Sequence, residues 1–334
     1  MNGFSAAISG VGSAVGRYFS IVSFIPSLFL AGFTFTLIES GAWSGGAEPD
    51  WAKAGNALTH LGNLALLTLI SIALGVAVHP IQFALVQFFE GYWGTGSLAQ
   101  RARVARILHH RRRLGALQFG SNLDAQVALD EKGATLTLKA RVEHLSIMEE
   151  SQRLIDGYPV DDDDIMPTRL GNVLRRYETM AGAQYELGAV EIIRHVTLVA
   201  PSQRVEYLND QRQLLDLSVR MSATSIFAAF IAIAFLWHHG PWLLIALAPY
   251  AIAYLSYRGA IIVAHEYGAA VSTMIDLDRF ALYDYLRLRR PKNTKAERRM
   301  NVQLMQLLSH NSRIVLPYEH PNAPGGSDTQ FKGP

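Results

Sequence analysis

The sequence predicts an all-α membrane protein: four transmembrane helices in two helical pairs, with a mostly helical cytoplasmic insert between spans 2 and 3. Three observations lead there. Residues 223–237 and 242–257 carry no charge, and His238-His239-Gly240-Pro241 breaks the run between them. Such a run of about 36 residues is too long for one crossing of a ~30 Å hydrocarbon core and fits two short ones, and Gly-Pro is turn chemistry. Two further apolar blocks precede it, at residues 18–38 and 61–89. Arginines then cluster just past the ends of the spans, as expected of cytoplasmic flanks.

Half of the 334 residues are apolar and 17% are charged, where a soluble domain carries about a quarter charged. The apolar excess comes in blocks, which favours spans over an unusually apolar soluble core. The chain has no cysteine, which excludes disulfides, thiolate metal sites and thiol nucleophiles. A net charge of +2 says little about partners; the placement of the arginines says more.

In chain order, residues 1–17 form a Gly/Ser-rich N-terminal segment. The block at 18–38 reads as a span and not a signal peptide, because it exceeds a signal core of about 7–15 residues; Pro26 inside it predicts a kink. Residues 39–60 read as an external loop. Residues 61–89 are longer than a crossing requires, which predicts tilt or extension beyond the membrane. Tyr92 and Trp93 suit the interface and close the first transmembrane pair, residues 18–93.

Arg101, Arg103, Arg106, Arg111, Arg112 and Arg113 follow. A nucleic-acid patch is one reading. An anionic-lipid and topology anchor is the simpler one, because a position just beyond a span predicts it. It places residues 94–221 and both termini in the cytoplasm. Within that insert, residues 140–155 read as a helix stopped by Gly157-Tyr158-Pro159, and Pro167-Thr168-Arg169-Leu170 opens another. Residues 189–199 fit helix or strand. Alternation at Thr135, Leu136, Thr137 and Leu138 allows a strand pair around residues 134–142. From Ser202 a helix runs unbroken into the hairpin at residues 222–257. An amphipathic cytoplasmic helix covers residues 258–290, and a flexible tail with a short helix near 296–308 covers residues 291–334.

At Arg169-Leu170-Gly171-Asn172, at Tyr267-Gly268 and from Asp276 to Tyr283, the chain resembles an uncharacterised group of bacterial multi-pass membrane proteins. The resemblance implies a bacterial inner membrane and a shared cytoplasmic region, and it brings no activity.

The candidates for a polar path are His79, Pro80, Gln82 and Glu90. An ionisable group at membrane depth such as His79 is a functional hypothesis by default, and Pro80 frees a backbone carbonyl about one turn earlier; the alternative is a neutral His79 bonded to a neighbouring helix, with Pro80 shaping the bend. His265-Glu266 lacks the second histidine of a zinc helix, position 269 being alanine, and reads as a polar helix face. The acidic run Asp161, Asp162, Asp163 and Asp164 lacks the ligand spacing and glycine of a calcium loop. It reads as a solvated loop ahead of a helix N-terminus. No phosphate-binding glycine loop and no nucleophile elbow is present, so no enzyme activity, metal or cofactor is expected.

The expectation is a homo-oligomeric membrane channel or pore gated by its cytoplasmic region. Four spans are few to enclose a path, so several copies would surround it. The alternative is a non-conducting scaffold or receptor that recruits a cytoplasmic partner. Expected partners are membrane lipids, further copies of the chain, and a cytoplasmic protein or small-molecule ligand; nucleic acid is not expected.

Overall fold

The computed structural model describes residues 19–44, 48–129, 138–310, 313–316 and 318–319. The expectations for residues 1–17, for 134–137 of the strand pair and for 320–334 of the tail lie outside them. Among the described residues the regular structure is helical, with one isolated antiparallel bridge between Leu288 and Tyr318. The helices are α1 (Ile25–Glu39), α2 (Trp51–Thr59), α3 (Leu61–Val78), α4 (Gln82–Glu90), α5 (Ser97–Leu129) and α6 (Leu138–Ile155). After these come α7 (Arg169–Met180), α8 (Ala189–Val199), α9 (Ser202–Leu236), α10 (Leu247–Tyr285) and α11 (Thr294–Leu308).

The described half of the expected strand pair, residues 138–142, lies in α6, and residues 189–199 are helical. Long side chains at helical spacing outweigh a four-residue alternation. The 39–60 segment contains α2, started by Asp50, whose side chain accepts from the Lys53 amide at 3.0 Å. Pro26 sits in the first turn of α1, directly after a π-helical turn at Phe19–Phe24 and within the apolar stretch Val22–Glu39. The break after His239 is longer than expected: Gly240–Ala246 is a tight 3₁₀ run, and the α-helix resumes only at Leu247.

Four helical stretches are long and apolar enough to cross a membrane, at Val22–Glu39, Leu61–Glu90, Ser202–Leu236 and Gly240–Tyr285. The chain divides into two compact units, Met1–Arg176 with Asn209–Tyr267, and Tyr177–Leu208 with Gly268–Pro334.

In the first unit the apolar helices meet at both ends. At one end Leu37, Ala232, Leu236 and Ala246 form a core. The rings of Trp51 and Trp242 lie 5.3 Å apart, tilted at 49°, and His239 Nε2 donates to the Ala42 carbonyl at 3.0 Å. Alanines let α9 and α10 approach closely: Ala228, Ala229, Ala232 and Ala253 are buried, and Ser222 donates to the Ala253 carbonyl. Ala234, Ala248 and Ala251 face outward.

At the other end α7 docks on the end of α4. Thr168 Oγ1 donates to the Glu90 carbonyl at 2.9 Å and accepts from the Gly171 amide. A Cβ at Gly171 would overlap the Glu90 carbonyl, so only glycine permits this approach. Asn172, buried beside it, accepts from the Met166 amide and donates to the Met166 and Thr168 carbonyls. The Arg169-Leu170-Gly171-Asn172 stretch thus holds a helix junction. α5 and α6 pack along one another and complete the unit.

The second unit is held by a buried polar network. Arg279 Nε donates to Glu297 at 2.8 Å, and its guanidinium lies 3.9 Å from the centre of the Tyr185 ring. Tyr283 donates to Asn301 at 2.9 Å, and Asn301 donates to the Tyr185 carbonyl. Arg204 grips Asp278 through two nitrogens, at 2.8 and 2.6 Å. Gly268 lies close against the Tyr177 ring, which a Cβ would overlap.

Candidate functional site

Charge retained inside an apolar helical bundle is costly, and so it is informative. Asp216 and Arg220 stand four residues apart on α9, hence on one face, together with buried Leu215 and Val219. Arg220 is 0% exposed. Its Nε donates to Gln82 Oε1 at 2.7 Å, and its Nη1 donates to Ser23 Oγ at 2.6 Å. Gln82 Nε2 donates in turn to the Asp216 carbonyl at 3.2 Å and to its carboxylate at 3.3 Å. One guanidinium, with five donors in a rigid plane, therefore ties the start of the first apolar stretch to α4 and α9.

Local chemistry places Gln82 there. Pro80 has no N–H to continue α3, which ends at Val78. His79–Ile81 makes a single 3₁₀ turn, and α4 restarts at Gln82. Gln82 is buried seven residues after buried Gly75, on the face of Leu67 and Ser71, while His79 and Pro80 are exposed.

Of the four path candidates, then, only Gln82 is buried in the cluster. Glu90 is half-buried, and its carbonyl caps α7 through Thr168. The basic run also divides. Arg111 donates to the Asp162 carbonyl and pairs with Asp163 at 3.0 Å, and Arg106 reaches the Pro167 carbonyl. Arg101 and Arg112 are exposed, and Arg103 and Arg113 are half-buried. The acidic run pairs with arginine, Asp164 taking both Nε and Nη2 of Arg175.

Sequence reasoning did not single out Arg220 or Asp216. They sit just ahead of the uncharged run, where a polar lead-in helix hides them. The usable signal was their spacing against Leu208, Leu215 and Val219, the buried side of the same helix.

No family model matches the chain, and neither the curated proteins nor the solved structures include a match.

Proposed function

We propose that several copies of this chain, each crossing the inner membrane four times with both termini in the cytoplasm, surround an ion path gated from the cytoplasmic side. Outward-facing Leu69, Phe83, Phe230 and Leu247 support burial of the long helices in lipid and against further copies. The observation that carries the channel reading is buried Arg220, held by Gln82 and Ser23 at one end of the apolar helices. In this reading those two bonds are the closed latch. α9 is one unbroken helix from Ser202 to Leu236, so movement of its cytoplasmic turns is transmitted to Arg220. Freed from Gln82, the guanidinium becomes a hydrated cationic lining that favours anions.

The test is chloride and potassium flux from proteoliposomes. Wild type is expected to pass chloride above protein-free vesicles, and Arg220→Gln to lose the preference for chloride. Vesicles as tight as protein-free ones under all cytoplasmic ligands tried would end the channel reading. The scaffold reading would then stand; the exposed cytoplasmic side chains Leu198 and Val315 favour it. Its sign is a soluble partner in fixed ratio.

A further inference from the structure

In the first unit a cavity of about 30 Å³ opens among the end of α6, the start of α7 and α10. Arg153, Tyr158, Arg169, Asn172 and His265 line it. Its charge is one-sided. Arg113 and Arg258 stand close enough to Arg169 to push its guanidinium pKa down, after burial as the main cause. Among the described residues no carboxylate pairs with Arg113, Arg153, Arg169 or Arg258. Asp156 and Glu266 are the acids close to His265; Asp156 is engaged by Arg176 at 3.3 Å and by Gln152. Gathering cations, two of them (Arg113 and Arg169) half-buried, without an anion is unfavourable, and a bound anion relieves it.

The hydrogen-bond count points the same way. Tyr158, which lines the cavity, is 3.0 Å from His110 Nδ1, and His110 is 1% exposed. His110 Nε2 has no partner among the described residues. His110 is neutral: burial first, then Arg106, His109, Arg113 and Arg169, hold its pKa down at about 4. A neutral imidazole has one donor and a phenol has one. If Tyr158 donates to Nδ1, the Nε2–H is left over; if Nδ1–H donates to Tyr158, the phenol O–H is left over. Either tautomer leaves a buried donor in need of an acceptor.

We infer that this cavity binds a phosphate group through Arg153 and Arg169, with the Tyr158 hydroxyl, left free to donate when His110 Nδ1–H donates to it, completing the site. The phosphate comes either free from solution or as the headgroup of an anionic phospholipid; the second source alone rests on the membrane reading above.

The test uses the full chain in two arms. Inorganic phosphate binding is measured in detergent by equilibrium dialysis. Retention of phosphatidylglycerol over phosphatidylcholine is measured by native mass spectrometry from mixed nanodiscs. Binding in the first arm identifies a soluble phosphate and needs neither a bilayer nor conduction; retention in the second alone identifies a headgroup. In the arm that binds, Arg169→Gln is expected to weaken binding about tenfold. Arg153→Gln lies on an exposed position that folding tolerates and should do the same, and Tyr158→Phe should weaken binding less. Arg111→Gln, outside the cavity, should change nothing. Binding in neither arm overturns the site, and so does equal binding by wild type and Arg153→Gln.

Discussion

Arg220 and Gln82 are joined side chain to side chain at 2.7 Å across 138 positions of sequence. The bond closes a cluster that no local segment could build, and it fixes where α4 and α9 meet. Burying a guanidinium is repaid only when its donors find acceptors. The first prediction follows. Gln82→Leu removes the acceptor of the Arg220 Nε–H and should cost about 2 kcal/mol, read as a lowered Tm in detergent. Arg220→Met in the Gln82→Leu background should recover most of that loss. An additive double mutant would show that the two side chains are not coupled.

Glycines separate positions of close approach from ordinary helix. Gly171→Ala forces a methyl into the Glu90 carbonyl and should destabilise by more than about 2 kcal/mol. Gly115, within α5, has nothing within 4 Å of an added Cβ, so Gly115→Ala should raise stability by about 0.5–1 kcal/mol. Thermal melts of the two variants side by side check both signs.

Much of this architecture was legible and part was not. The α6 stop at Gly157-Tyr158-Pro159, the opening of α7 and the unbroken α9 follow from punctuation residues whose chemistry is local. The break at Pro80 followed from its missing N–H. The burial of Gln82 with exposure of His79 did not, because an all-apolar helix hides which of its faces packs inward; Gln82 falls on the face of Leu67, Ser71 and Gly75. The Arg220 partners Gln82 and Ser23 lie far away in sequence, and only packing brings them together. The basic run looked uniform in sequence. The fold sorts it by depth, pairing Arg111 with Asp163 and setting Arg113 near Arg169 and His110.

His110 gives the first unit a pH signature. Its pKa is lowered to about 4 from an ordinary 6.5, so between those values the unfolded chain binds the proton and the folded chain does not. Stability is therefore full above about pH 6.5 and falls as pH drops toward 4, by up to about 3 kcal/mol. Melts from pH 7 to pH 4 should show this slope. His110→Gln should flatten it; an unchanged slope in the variant would assign it to other groups.

The network of the second unit makes a separate prediction. Glu297, buried, accepts from Arg279 and lies 3.2 Å from the Tyr283 hydroxyl. Glu297→Ala leaves the Arg279 guanidinium without its carboxylate and should cost about 3 kcal/mol. Hydrogen exchange should rise across α11 and the 183–185 turn. Glu297→Gln, which keeps an acceptor oxygen, should lose less.

The central claim is that copies of this chain together enclose a path, and subunit number tests it most directly. Native mass spectrometry of the full chain released from lipid nanodiscs should give a closed assembly of about four or more copies. A monomer or a simple dimer would contradict the account, because four apolar helices per chain would then have too few neighbours to surround a conductive centre.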